Sequence, residues 1–114
     1  MGLEAMVYAT PWMVSDVEYA CHDAIVQHLA PVESSVGVQV HIDHVAATPV
    51  GMEVAIEVRV VEVDKRRVIC EFTVHDDLEL VGRGRHTRMV VDKQWTVQRL
   101  TAKRERAFSV RKLR

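Results

Sequence analysis

Glu18 is the carboxylate whose surroundings in the sequence most favour chemistry. At helical spacing its neighbours are Val14, Cys21 and Ile25, so it falls on the apolar face of a predicted helix. Packing of that face would strip water from the carboxylate, and a partly desolvated carboxylate is suited to act as a nucleophile or a general base. The alternative is a Glu at the margin of the face that reaches water or pairs with a cation. Both interpretations stay open at this point.

His44 is the second candidate for acid–base work. It continues the inward register of Val38, Val40 and Ile42 in a predicted strand. An imidazole at the end of that strand, facing the helix, is placed to act as an acid, a base or an electrophile. The alternative is a core histidine hydrogen-bonded to a backbone carbonyl.

Arg88 has the same parity as Val90 in the last predicted strand, so it is expected to face inward. A buried Arg requires an anion, either from a Glu or from a ligand. Gly82 and Gly84 lie in the same strand pattern, where glycine permits a bulge or a close backbone approach. Their spacing lacks the Walker pattern and does not separate a strand from a helix, which argues against a phosphate-binding loop.

Metal ligands are not expected. His41 and His44 are three residues apart, and such residues face opposite sides of a strand, so they cannot reach one ion together. Cys21 and Cys70 both fall on apolar faces and are interpreted as packing thiols.

One helix and four strands are predicted to position these side chains. The helix spans about residues 11–29, with Thr10 as its N-cap and Pro11 at the first helical position. Beyond it, alternation of apolar and polar residues predicts strands at about 36–42, 53–60, 67–74 and 80–91. The fold class is α+β, with one long helix wrapped by a four- to five-stranded antiparallel sheet in meander order. Because so small a sheet leaves exposed edges, we expect a homodimer and leave a tetramer open.

Composition places the chain among single-domain globular proteins. It has 114 residues, of which 48% are hydrophobic and 27% charged. No apolar run is long enough to cross a membrane, the start of the chain lacks a secretory signal, and two cysteines exclude a disulfide scaffold. A cytoplasmic protein without a membrane partner is expected.

Charge divides the chain into a domain over 1–92 and a basic segment over 93–114. Residues 1–91 hold 7 Lys and Arg against 14 Asp and Glu, whereas residues 92–114 hold 8 against 2. The basic segment is expected to be a short helix or strand, or a partly disordered tail. Because the body is acidic, binding to nucleic acid is not expected and is the weakest alternative.

Several strings, in order and spacing, resemble the hotdog-fold thioesterases, specifically the fluoroacetyl-CoA thioesterase-like family. The resemblance covers roughly residues 5–92. Its most specific part is His44-Val45-Ala46-Ala47-Thr48-Pro49-Val50-Gly51, and the helix string around Glu18 is second. The remaining strings are Ala9-Thr10-Pro11-Trp12-Met13-Val14, Ser35-Val36-Gly37 and Gly84-Arg85-His86-Thr87-Arg88.

The resemblance implies a dimer with acyl-CoA sites near its interface. It also implies that Glu18 is the catalytic carboxylate, His44 the catalytic histidine and Thr10 the hydroxyl-bearing residue before the helix. Gly37 and Arg88 match residues that line the site and bind substrate. Family members usually carry an N-terminal segment over the acyl pocket; few residues precede the match here, so a different, bulkier acyl group is a plausible substrate.

The expected reaction is hydrolysis of an acyl-CoA thioester to the free acid and CoA. Glu18 would attack or activate water, Thr10 would position it, and His44 would polarise the carbonyl. A backbone N–H near Gly37 would bind the oxyanion. No cofactor is required, and coenzyme A is part of the substrate. The alternatives are a hotdog-fold hydratase or dehydratase and a non-catalytic acyl-CoA-binding or sensing protein.

Overall fold

The computed structural model describes residues 2–113, apart from the side chain of Glu4. After a single turn of 3-10 helix at Leu3–Ala5, the elements follow the predicted order of one helix and four strands, with a second helix at the end. They are α1 (Thr10–Val26), β1 (Glu33–His44), β2 (Ala55–Asp64), β3 (Arg67–His75), β4 (Leu80–Asp92) and α2 (Lys93–Lys112). The predicted α+β class, a helix packed on a four-stranded antiparallel sheet, is confirmed.

The order of the strands differs from the predicted meander. The sheet runs β1-β4-β3-β2, so β1 pairs with β4 and not with its neighbour in the chain. Short turns over 65–66 and 76–79 force β2, β3 and β4 to lie side by side. The longer connection over 45–54 frees β1 to pair at the far side. As a result, β1 and β2 are the two edges of the sheet.

A bulge at Val38 changes which residues of β1 face the helix. Gly37 pairs with Arg88, but Gln39 pairs with Thr87, so one residue of β1 has no partner on β4. The prediction that Val38 faces inward with Val40 is therefore wrong, and Val36 also faces outward. Val36 is 42% and Val38 57% exposed.

Because the bulge shifts the alternation, Gly37 faces the helix before it, and His44 faces the helix after it. The inward direction predicted for His44 is confirmed by its contact with Thr10. The close approach expected at Gly84 is also present, since a Cβ there would collide with the carbonyl oxygen of His41.

Helix α1 packs on the sheet through a stripe at i, i+4 spacing. Met13, Val17, Cys21 and Ile25 are buried, against a sheet face that includes Phe72 and Val74. The helix ends at Val26, earlier than predicted, because the N–H groups of residues 28 and 29 bond three residues back and close the last turn. The prediction that Thr10 is the N-cap is also wrong: Ala9 is the N-cap and Thr10 is already helical.

The basic segment forms α2, a 20-residue helix with no buried residue. The side chain of Asp92 caps it by accepting a hydrogen bond from the backbone N–H of Trp95 at 2.8 Å. Neither helix in residues 2–113 has the length and apolar content needed to cross a membrane.

Candidate functional site

Glu18 lines a cavity of about 530 Å³ between α1 and the first half of β1. Gly37 lies directly opposite, and a Cβ on Gly37 would be 2.7 Å from Glu18 Oε1. Within the described residues the Glu18 carboxylate forms no ion pair. Glycine at position 37 therefore makes room for a free carboxylate.

Arg88 is buried beside this carboxylate, 8% exposed, as its inward parity predicted. Its Nε donates to Ser35 Oγ at 2.7 Å and its Nη2 to the Ser35 backbone oxygen at 2.9 Å. Burial lowers the pKa of Arg88, while the negative charge of Glu18 acts in the opposite direction. No carboxylate in the described residues lies within salt-bridge distance of Arg88, so neutral acceptors take up its donors.

His86 and His22 extend the hydrogen bonds of Arg88. Arg88 Nη1 donates to His86 Nε2 at 3.1 Å, and His86 Nδ1 in turn donates to the backbone oxygen of Gln39 at 2.9 Å. On the other side, His22 Nδ1 lies 2.7 Å from Ser35 Oγ. We call His22, Ser35, His86 and Arg88 the Arg88 cluster.

Sequence reasoning did not identify His22, Ser35 or His86 as site residues. A signal existed for two of them, because His22 is one helical turn after Glu18 and His86 has the parity of Arg88. Ser35 gave no signal, since its inward direction depends on the bulge in β1.

Thr10 and His44 form a separate pair at the start of α1 and the end of β1. Thr10 Oγ1 and His44 Nδ1 are hydrogen-bonded at 2.8 Å. His44 Nε2 is buried and has no hydrogen-bond partner in the described residues. Buried polar atoms are nearly always satisfied, so an unpartnered buried nitrogen is unusual and singles out His44 as a candidate for binding. The pair borders its own cavity of about 430 Å³.

Within one chain, the Thr10–His44 pair is not brought to Glu18. Thr10 and Glu18 are eight residues apart on α1, which is about 12 Å along the helix axis. Gly37 and His44 are seven residues apart on β1, roughly 20 Å along the strand. The candidate residues therefore fall into two groups at opposite ends of β1.

The loop after His44 is held by buried polar contacts. Thr48 is fully buried, its hydroxyl donates to Asp76 at 3.0 Å, and its backbone oxygen accepts from the N–H of Tyr8 at 2.8 Å. Gly51 ends the loop with a φ of 99°. Most of the string that begins at His44 therefore builds the loop that carries the histidine.

The two cysteines are buried thiols in contact, as predicted for packing residues. Hydrogen bonding with Cys70 and burial raise the pKa of Cys21, so this thiol stays protonated. Within residues 2–113, no three His, Cys, Asp or Glu side chains converge as metal ligands would.

Comparison with known proteins identifies the family. The sequence profile of the family described as FlK, fluoroacetyl-CoA-specific thioesterase, matches residues 2–94. The fluoroacetyl-CoA thioesterase of Streptantibioticus cattleyicolor is 36% identical over 85 residues, which is 75% of this chain. The match spans 61% of that relative's length.

Solved structures agree with this assignment. A structure of the fluoroacetyl-CoA thioesterase FlK has a TM-score of 0.82 at 33% identity, over 85% of this chain and 72% of the other. A thioesterase superfamily member of Thermus thermophilus has a TM-score of 0.87 at 29% identity, over 90% and 76%. A hot-dog-like protein of Thermanaerovibrio acidaminovorans, at 21% identity, shares the fold with a TM-score of 0.82 over 86% and 73%. The chain has the hotdog fold and belongs to the fluoroacetyl-CoA-specific thioesterase family, FlK.

Proposed function

We propose that the protein hydrolyses acyl-CoA thioesters to the free acid and CoA. The observation that carries this proposal is the Glu18 carboxylate, unpaired at an open cavity and lying against Gly37. Family membership supports it, because FlK is described as a thioesterase. One FlK variant has been solved with fluoroacetate and CoA and another with acetyl-CoA, which supports an acyl-CoA as the substrate class.

In the proposed reaction, Glu18 delivers the attack on the thioester carbonyl carbon. Either a Glu18 oxygen adds directly, giving an anhydride that water opens, or Glu18 takes a proton from water and the hydroxide adds. In both routes the C–S bond breaks and CoA leaves as a thiolate, which is then protonated. A single turnover in ¹⁸O-water followed by mass spectrometry separates them, since label enters the Glu18 carboxylate only on the covalent route.

His44 and Thr10 serve the same reaction from a second copy of the chain. The outer edge of β1 is free, and antiparallel pairing of two such edges about a two-fold axis brings the end of one β1 to the start of the other. His44 of the partner subunit then approaches Glu18, and its free Nε2 has a thioester carbonyl to polarise. Trp12 and Tyr19, both exposed on α1, provide apolar surface for such an interface.

Subunit mixing tests this shared site. Glu18→Gln and His44→Ala homodimers are each expected to be inactive. After subunit exchange, the mixture should recover about a quarter of wild-type activity, because half of the dimers are mixed and each mixed dimer holds one intact site. Native mass spectrometry verifies the exchange. Verified mixed dimers without activity would contradict a site shared between subunits.

The function itself is tested by thiol release from short, branched and aromatic acyl-CoAs, read with a thiol-reactive dye. Glu18→Gln should lose about 10²-fold or more in turnover at an unchanged melting temperature. Asp23→Asn, an exposed acid on the same helix, is the matched control and should behave as wild type. Near-wild-type turnover by Glu18→Gln would refute the role of the carboxylate. Wild-type silence across the panel, with acyl-CoAs raising the melting temperature, would indicate a binding protein.

A further inference from the structure

His22 lines the same cavity as Glu18, but the proposed reaction gives it no role. It lies one helical turn after Glu18 on α1 and is partly buried. Residues four apart on a helix are about 5–6 Å apart at Cβ, so both side chains reach the same bound molecule. Its Nδ1 is occupied by the contact with Ser35 Oγ at 2.7 Å.

Arg88 determines which nitrogen of His22 carries the proton. Ser35 Oγ accepts from the Arg88 Nε–H at 2.7 Å, because a guanidinium can only donate. The Ser35 hydroxyl is buried and must donate its own proton in a hydrogen bond. His22 Nδ1 is the acceptor within reach. Nδ1 therefore accepts, and in the neutral ring the proton resides on Nε2. The network thus holds the imidazole as an Nε2–H donor.

That donor has no partner among the described residues. His22 Nε2 is accessible to solvent, and His22 lines the cavity that contains Glu18. The cavity wall is mixed: Ser15, Tyr19 and Ser34 bear hydroxyl groups, and Val36 adds apolar surface. A short acyl group with one hydrogen-bonding atom fits such a wall better than a long alkyl chain. Glu18 and Arg88 both line the cavity, so its formal charges balance and a neutral group fits without adding a charge.

We propose that His22 is a specificity-determining residue, whose Nε2–H donates to a neutral oxygen on the acyl group. The favoured substrates are then short acyl-CoAs with a hydroxyl or carbonyl oxygen on the carbon next to the thioester. This inference rests on the proposed thioesterase function and names its substrate class. The fixed Nε2–H tautomer and the position of His22 beside Glu18 in one cavity together distinguish it from a purely structural contact between α1 and β1.

The test compares hydroxyacetyl-CoA with propionyl-CoA, which differ only in a terminal hydroxyl against a methyl group. Wild type should favour hydroxyacetyl-CoA in kcat/KM, in part because the electron-withdrawing hydroxyl activates the thioester carbonyl. His22→Leu should lower the ratio of the two kcat/KM values by about fivefold, the value of one hydrogen bond. His22→Gln should keep much of the preference, because its amide N–H takes the place of Nε2–H. His28→Leu, an exposed histidine of the same segment, should leave the ratio unchanged.

The outcomes separate the two proposals. Thiol release from both esters at equal kcat/KM by wild type would overturn the role of His22 while leaving the thioesterase intact. An equal loss for both esters in His22→Leu would show that the side chain acts on the common CoA portion or on folding, and would also overturn it. No thiol release from either ester would refute the thioesterase proposal and this inference with it.

Discussion

The Arg88 cluster and the Thr10–His44 pair are both polar groups at the contact between α1 and β1, yet they are completed differently. Arg88 is almost fully buried and has acceptors from two strands and from α1 within hydrogen-bond reach. The Thr10–His44 pair has one internal hydrogen bond and a buried nitrogen without a partner.

The difference follows from what each group costs if left incomplete. A buried guanidinium without acceptors would destabilise the fold by several kcal/mol, so β1 and β4 must satisfy it before any ligand arrives. One unpartnered imidazole nitrogen costs only about 1–3 kcal/mol. The fold therefore organises the Arg88 cluster by itself, whereas His44 Nε2 has no partner among the described residues.

Gly37→Ala should reduce activity strongly and change stability little. The added Cβ would lie 2.7 Å from Glu18 Oε1, so the flexible carboxylate must move while the backbone stays in place. A displacement of about 1 Å at a reacting group costs on the order of 10²-fold in rate, so kcat/KM should fall by that amount. Thermal unfolding should show a small change.

Gly51→Ala is the control with the opposite profile. Nothing lies within 4 Å of a Cβ there, but φ is 99°, so the alanine strains the backbone. It should lower stability by about 1 kcal/mol and spare kcat/KM. A Gly37→Ala protein that loses stability but keeps its rate would show that Gly37 serves the fold and not the carboxylate.

Arg88→Met should destabilise the fold more than His44→Ala does. Removing the guanidinium leaves the Ser35 backbone oxygen and His86 Nε2 without their donor, at a cost of about 2 kcal/mol in urea unfolding. His44→Ala removes one hydrogen bond, to the exposed Thr10, together with a nitrogen that is already unpartnered, and should cost less. If His44→Ala were the more destabilising of the two, the pair would be as much a part of the fold as the cluster.

The sequence predicted the Thr10–His44 pair better than the Arg88 cluster, of which it predicted only the burial of Arg88. The buried stripe of α1, the inward direction of His44 and the burial of Arg88 follow from local periodicity, and the structure confirms them. The Arg88 cluster depends on Ser35, which faces the helix only because β1 bulges at Val38. Val36 and Val38 face outward before the bulge ends, and Val40 faces inward after it. Because valines occupy every second position on both sides, their alternation concealed the bulge.

The pairing of strands was concealed for a related reason. The sequence shows where β1 and β4 begin and end, but the pairs that join them, from His44 with Gly82 outward, lie 38 or more positions apart in the chain. Periodicity carries no information about such contacts, whereas the lengths of the connections do. The ten-residue segment between β1 and β2 is too long for a tight hairpin and argues against direct pairing of these two strands.

Thr10→Val should have a smaller effect, confined to the Thr10–His44 pair. The hydroxyl that orients His44 Nδ1 is lost, so kcat/KM should fall by roughly fivefold, the value of one hydrogen bond. Thr10→Ser should restore the rate, and the ¹⁵N shift of His44 Nδ1 should move in Thr10→Val alone. A shift that stays the same in Thr10→Val would show that the hydrogen bond does not form in solution.

Asp76→Asn should have the smallest effect, visible only through its dependence on pH. The backbone N–H of Leu78, that of Glu79 and the Thr48 hydroxyl hold the pKa of Asp76 below its ordinary range, and Thr48 anchors the loop behind His44. Because the folded pKa is the lower one, the charged form stabilises the fold above the ordinary carboxyl pKa of about 3.9, and this contribution disappears as pH falls through the folded value. Wild type should therefore melt above Asp76→Asn near pH 6, and the gap between the two melting temperatures should narrow as pH falls below the ordinary carboxyl pKa of about 3.9. Asp77→Asn, an exposed neighbour, should match wild type at both, and a gap that persists in acid would assign the effect of Asp76 to shape and not to charge.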